Sequence, residues 1–321
     1  MQRIKIGVIG VGHLGQYHLR RLLELPQAQV VGLFDKDEWK GERVADSLGL
    51  KAWPSLNGLL MEAEAVVVAV PTISHYQVVM ETLSQGLDVL VEKPLAWNLN
   101  EAEEMVRMAQ RERRIIQVGH IERFNPAFVS LKGMGIKPRF IEAHRLSPFS
   151  PRGMDVAVVL DLMIHDLDLV LALVNSQPQT VEAMGVAVIS DQEDIANARI
   201  SFENGCVANL TASRISAKSM RKLRIFQKDS YLSLDFIKKI LEVYRFLPSQ
   251  MEEEGERIFD LGGKSLIRRV ITDQGKDPLR EELSSFIGSV VTRRPPLVSG
   301  REGLKALKLA LEVVEAVRCR T

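Results

Sequence analysis

The chain has 321 residues, long enough for two domains, and its 46% apolar and 26% charged content is that of a globular protein. With 42 basic and 41 acidic side chains the formal net charge is +1, which argues against nucleic acid or an anionic membrane as the main partner. Two cysteines, Cys206 and Cys319, are too few for a disulfide framework and form no CxxC pair, so the expected compartment is reducing, the cytoplasm.

The N-terminus enters a strand pattern at once, with no signal-peptide pattern. Over the first 120 residues, predicted strands at Ile4–Ile9, Val30–Phe34, Ala65–Val70, Val89–Val91 and Ile115–Val118 alternate with amphipathic stretches. These stretches include His13–Leu25, Ser74–Ser84 and Asn100–Arg113. Apolar strands separated by helices imply a doubly wound parallel sheet. The first strand runs into Gly10-Val11-Gly12-His13-Leu14-Gly15, a GxGxxG turn that opens a helix. Gly10 permits the tight turn, Gly12 admits a pyrophosphate to the backbone, and Gly15 lets helix and strand pack closely. Asp35, 20 residues after Gly15, ends the second strand. An acid there binds ribose hydroxyls and repels a 2′-phosphate, which favours NAD over NADP.

Lys93 follows the strand at Val89–Val91, and doubly wound sheets bind ligands beyond the carboxyl ends of their strands. On spacing alone, an ion pair between Glu92 and Lys93 before a loop is an equal reading.

Beyond residue 121 the pattern changes, so the expected division is a cofactor domain at 1–121 and a substrate and oligomerisation domain at 122–321. The last helix is left free to pack back on the first domain. A helical stretch, Met154–Val174, precedes strand-like segments at Val181–Ile189, Ala196–Phe202, Val207–Ser213, Lys222–Phe226 and Tyr231–Phe236. Short turns between them predict a largely antiparallel sheet. Gln250–Lys264 reads as a polar, Gly-rich loop, and helices are predicted at Pro278–Thr292 and Arg301–Arg318. No apolar run is long enough to span a bilayer. The most apolar one, Val156–Val174, is broken by Asp161, His165, Asp166 and Asp168.

Asp161, His165 and Asp168 fall on one face of that helix. Polar groups on a buried helix are costly unless paired, and Asp161 can reach and orient His165 across one turn. A paired core histidine is the competing reading. The six histidines form no HxH or HExxH pattern, which argues against a metal site. Arg123 and Asn125 lie at the domain junction. Arg145, Arg152, Arg214 and Lys218 belong to acid-free basic segments suited to a diphosphate, or to a solvated strand edge.

Glu92-Lys93-Pro94, the GxGxxG turn and Val70-Pro71-Thr72-Ile73-Ser74-His75 together resemble the glucose–fructose oxidoreductase/inositol dehydrogenase (Gfo/Idh/MocA) family. The resemblance covers nearly the whole chain. It implies an α/β fold: an N-terminal Rossmann sheet, then a C-terminal α+β domain with a large, mostly antiparallel open sheet. It implies cofactor contacts from Gly10, Gly12, His13, Leu14, Gly15, Asp35, Pro71, Thr72, His75, Glu92 and Lys93. It also implies that Lys93 lies beside the nicotinamide, with His165 as general base and Asp161 close to it. Many members carry glycines before the Asp-x-x-x-His motif, whereas Val156-Ala157-Val158-Val159 has none. Gly119–Ala127, Arg152–Asp155 and Asp161–Asp166 are most similar to the UDP-N-acetylglucosamine 3-dehydrogenase branch. That implies hydride transfer from C3 of a sugar nucleotide to NAD, a substrate grip from Arg123, Asn125, Arg145, Arg152, Arg214 and Lys218, and an aminotransferase acting next. It further implies a homodimer or homotetramer formed through the C-terminal sheet. Oxidation of a free polyol such as an inositol, or a non-catalytic NAD-binding role, remains open on the sequence.

Overall fold

The computed structural model describes residues 3–150, 156–251, 253–273 and 275–319. The chain divides into two compact units that are not two contiguous halves. Unit 1 comprises Met1–Ile121 and Asp277–Leu307, and unit 2 comprises Glu122–Lys276 and Lys308–Thr321.

Unit 1 begins with β1 (Ile4–Ile9), α1 (His13–Leu23), β2 (Ala28–Phe34), α2 (Glu38–Leu48), α3 (Leu56–Glu62), β3 (Ala65–Val68), α4 (His75–Ser84), β4 (Asp88–Glu92), α5 (Leu99–Arg111) and β5 (Ile116–Gly119). Among the described residues these strands form one five-stranded parallel sheet in the order β2-β1-β3-β4-β5. The order reverses between β1 and β3, the switch point where such sheets bind ligands. Side chains start the helices where an oxygen can accept a free backbone N–H. Asp37 caps α2 through Lys40 N at 3.0 Å, and Asn98 caps α5 through Glu101 N at 3.0 Å.

Unit 2 holds α6 (Pro126–Val129), β6 (Phe140–Leu146), a π-helical turn at Val159–Met163, α7 (Ile164–Val174), β7 (Pro178–Val186), β8 (Ile195–Phe202), β9 (Val207–Ser213), β10 (Met220–Gln227), β11 (Ser230–Asp235), β12 (Ile240–Pro248), β13 (Glu256–Leu261) and β14 (Lys264–Thr272). The nine described strands form one sheet ordered β13-β14-β12-β11-β10-β6-β9-β8-β7, antiparallel except for the β6–β9 pair. One face is apolar and buried, with Ile141, Ala143, Ala198, Ile200, Leu223, Ile225, Leu232 and Leu234. The alternate residues point the other way, as the two-residue period of a strand requires.

The chain then enters α8 (Pro278–Thr292) and α9 (Gly300–Arg318). Asp277 caps α8 by accepting from Leu279 N and Arg280 N. Leu283, Phe286, Ile287 and Val290 of α8 join Leu19 and Leu22 of α1 and Leu90 of β4 in one apolar cluster of unit 1. Gly300 and Gly303 open α9 against β5, where a Cβ would meet Ile116 at 2.7 Å and Val118 at 2.4 Å.

Two expectations are corrected here. Gln250–Lys264 is not simply a loop, because β13 and β14 form a hairpin across it. Gly262 and Gly263 turn it at φ +55° and +75°, the two positive angles that a tight hairpin turn needs. β13 is exposed along its whole length, so it shows no apolar alternation. The expected continuous helix over Met154–Val174 is instead a π turn followed by α7, and Met154 and Asp155 lie outside the described residues. Among the described residues no helix is long and apolar enough to cross a membrane.

Candidate active site

The glycine turn joins β1 to α1. Gly10 sits at φ +84°, and a Cβ there would meet Ala69 O at 2.7 Å. At Gly15 a Cβ would strike Gly10 O at 1.9 Å, so this glycine is required by packing. Gly12 differs, since a Cβ built on it meets nothing within 4 Å. The N-terminus of α1 carries no side-chain cap and no acid in its first turn, leaving N–H groups and a positive dipole end for an anion. His13 and Leu14 are exposed beside it.

Asp35 lies against this turn. Its Oδ2 accepts from Val11 N at 2.8 Å and from Lys40 Nζ at 3.0 Å, and its Oδ1 accepts from Asp37 N at 3.1 Å. Burial alone would raise its pKa, but these donors outweigh burial and hold the carboxyl below its ordinary range. A glycine cradle open at Gly12, an uncapped helix end and an ionised acid after β2 fit a dinucleotide. Across β3 the chain passes Pro71, exposed, and Thr72, half-buried, into α4. Buried His75 spans two carbonyls, Val70 O at 3.0 Å and Pro94 O at 2.9 Å. Burial holds His75 below the usual histidine range despite these carbonyls. It thereby ties the β3 end to the loop after Lys93, whose peptide bond to Pro94 is cis.

Glu92 does not lie on the surface. It is buried, its Oε1 lies 2.7 Å from His18 Nε2, and its Oε2 accepts from Lys93 N at 3.3 Å. Lys93 itself is half-buried at the end of β4.

In unit 2, Asp161 lies in the π turn and His165 in the first turn of α7, both half-buried. The π turn closes on i→i+5 bonds, so the regular α-helix begins only after Asp161. Asp168, the third member of that stripe, is buried and paired with Arg123 at 2.7 Å. Four expected substrate ligands have partners within the protein. Arg123 is committed to Asp168. Arg145, 3% exposed, donates to both oxygens of Asp166 at 2.9 and 2.8 Å and to Glu122 at 2.9 Å. Burial disfavours the charge on Arg145, yet Asp166 and Glu122 outweigh it and hold its pKa above normal. Asn125 caps α6 through Ala127 N and donates to Phe236 O and Glu122. Arg214 is buried, donates to Val156 O at 2.5 Å and lies 3.9 Å from Asp194. Lys218 is exposed between β9 and β10, and Arg152 lies outside the described residues.

Sequence reasoning missed His18 and Glu282. Both carried a signal: each occupies a position of an apolar helical stripe, His18 with Gly15, Leu19 and Leu22, and Glu282 with Leu279, Leu283 and Phe286. Among the described residues, no group of three or more His, Cys, Asp or Glu could hold a metal ion.

Residues 4–120 match the model of an oxidoreductase family with an NAD-binding Rossmann fold, and residues 137–231 match the C-terminal domain of the same Gfo/Idh/MocA family. A UDP-N-acetylglucosamine 3-dehydrogenase of Acidithiobacillus ferrooxidans is 37% identical over 319 residues, 99% of this chain and 98% of that protein. A crystal form of the enzyme of that name superposes with a TM-score of 0.90 at 36% identity, covering 99% of both chains. A myo-inositol 2-dehydrogenase of Thermotoga maritima is 26% identical over 95% of this chain and 94% of its own. A levoglucosan dehydrogenase solved with NADH shares the fold, with a TM-score of 0.87, 16% identity and coverage of 100% of this chain and 98% of that one. With its nucleotide turn, its Glu-Lys-Pro strand end and its second-domain sheet, the chain belongs to the Gfo/Idh/MocA family of NAD-binding oxidoreductases.

Proposed function

We propose that the protein is an NAD-dependent dehydrogenase that oxidises C3 of a UDP-N-acetylglucosamine-type sugar nucleotide to a keto sugar. The observation that carries this reading is the 37%-identical relative of that name, matched over 99% of the chain. When bound, NAD accepts the hydride. Gly10, Gly12, Gly15 and the α1 N-terminus hold its pyrophosphate, and Asp35 takes the ribose hydroxyls. His165, with Asp161 four residues before it in the π turn, takes the hydroxyl proton, and Lys93 steadies the developing alkoxide. Lys218 and Arg152 are the remaining candidates for the diphosphate.

Arg145 and Arg214 are buried, and this favours a second reading, a free polyol. The test is NADH formation with UDP-N-acetylglucosamine and with myo-inositol, using the wild type, Lys93→Ala and His165→Ala. Turnover of the sugar nucleotide alone, lost in both variants while NADH still binds, is expected. Turnover of inositol alone selects the polyol, and wild-type kinetics in both variants overturns the roles given to Lys93 and His165.

The keto product is of the class an aminotransferase consumes. We place the protein in the cytoplasm, in keeping with its two free cysteines. It acts as a homodimer or homotetramer through the outer face of the unit 2 sheet.

A further inference from the structure

Behind the Lys93 end of β4 lies a set of buried polar groups that the proposed chemistry does not use. Glu92 Oε2 folds over β5 at Gly119, where a Cβ would meet it at 2.9 Å. Pairing of β4 with β5 sets Leu90 beside Gln117 and Glu92 beside Gly119. Gln117 and Gly119, two residues apart, therefore share a face of the sheet. Gln117 Nε2 donates to the backbone carbonyl of Glu282 at 3.2 Å, which fixes α8 over that face. Glu282 is 0% exposed, and neither of its carboxyl oxygens has a hydrogen-bond partner among the described residues.

A carboxylate buried without a partner is costly, so such a group keeps its proton. Burial, and after it the charge on Glu92, holds Glu282 well above the ordinary carboxyl range. Burial acts on Glu92 too, but His18, then Lys93 and His75, outweigh it and hold Glu92 below that range. Two neighbouring acids are thus split into one ionised and one neutral group, the pattern by which proteins assign roles to paired carboxyls. The titratable and charged groups around the pair are His18 from α1, Lys93 beyond β4 and His75 from α4. β5 presents the neutral Gln117 on this face, with His120 past its end.

We propose that Glu282 is a positioning residue for Lys93, acting through Glu92. As the protonated half of the acid pair, it leaves one negative charge behind the lysine, and that charge is oriented by His18 and braced on the Lys93 N–H. The inference rests on the reading of Lys93 as the residue that steadies the alkoxide. Loss of the Glu282 proton, as pH rises through its raised pKa, puts a second negative charge behind Lys93. This displaces the Glu92 carboxylate from His18 and switches the site off.

The experiment is the pH profile of kcat for NADH formation from NAD and UDP-N-acetylglucosamine, in the wild type and in Glu282→Gln. The substitution is nearly isosteric and permanently neutral. Glu282→Leu, also neutral and suited to the apolar stripe, stands in if the glutamine variant does not fold. The neutral variant is expected to keep kcat at pH 7 within about twofold and to move the alkaline limb up by about one pH unit or more. In parallel, infrared spectroscopy of the wild type is expected to show a protonated-carboxyl band at pH 7 that the variant lacks. Superimposable pH profiles, or absence of that band, overturn the proposal. If Lys93→Ala turns over like the wild type, the reading of Lys93 fails instead. If the wild type does not turn over this sugar, the infrared band decides: its presence at pH 7 and loss as pH rises further supports the proposal, and its absence overturns it.

Discussion

Arg145 stands on the inner face of β6 with Ile141 and Ala143, and it points at the carboxylates of Asp166 and Glu122. Removing one partner of a buried ion pair costs more than the pair contributes, because the other charge is left without water. Arg145→Met strands two acids, so it is expected to cost about 3–5 kcal/mol of unfolding free energy, read by urea denaturation. A variant as stable as the wild type but with a raised KM for UDP-N-acetylglucosamine would return Arg145 to the substrate site. The expected substrate role came from reading charge without burial. The alternation Ile141, Ala143, Arg145 carries the burial signal, but it becomes usable only once β6 is recognised as a strand. Gly10, Gly15 and Asp35 were legible because their chemistry is local: a turn, a close contact and a strand end within one β-α-β segment. Arg123 and its partner Asp168 lie 45 residues apart, and no local pattern states that pairing.

At the scale of elements, α8 shows what an acid in an apolar stripe does to stability. The pKa of Glu282 is raised in the folded protein above its unfolded value of about 4.3. Below about pH 4.3 both states bind the proton, and the group imposes no penalty. As pH rises above that value the unfolded chain releases the proton while the folded one keeps it. Stability then falls by about 1.4 kcal/mol per pH unit until the folded group ionises. Glu282→Gln is expected to remove this slope and to melt higher than the wild type at pH 7. Thermal unfolding from pH 5 to 9 checks it, and parallel curves for the two proteins would show that Glu282 is ionised or solvated. Helices such as α1 and α5 were legible from periodicity. The π turn at Val159–Met163 was not, because its widened register leaves no composition signal. The β13–β14 hairpin was missed for a related reason: an exposed strand has no apolar period, although Gly262-Gly263 marks its turn.

At the scale of the whole molecule, strand–helix alternation was enough for the parallel sheet, while the strand order of unit 2 depends on long-range pairing, with β6 lying between β9 and β10. That order aligns Phe140, Phe226, Tyr231 and Tyr244 as direct cross-strand partners on the face opposite the buried core. Their rings follow one another at 5.6, 4.9 and 5.3 Å across four strands. Nearby, Glu142 pairs with Arg224 at 3.0 Å, so the face mixes an aromatic row with neutralised charges. Aromatic rows ringed by polar groups mark association surfaces, and closed symmetric pairing is the commonest way such a face is covered. Phe226, 36% exposed, is directed away from Leu223 and Ile225 of the buried face. Phe226→Lys therefore leaves the core of the sheet intact while placing a charge in the row. Light scattering at micromolar concentration is expected to give a dimer or tetramer for the wild type and a smaller species for the variant, with far-UV circular dichroism unchanged. A monomeric wild type, or an assembly that tolerates the lysine, removes this face from the oligomer.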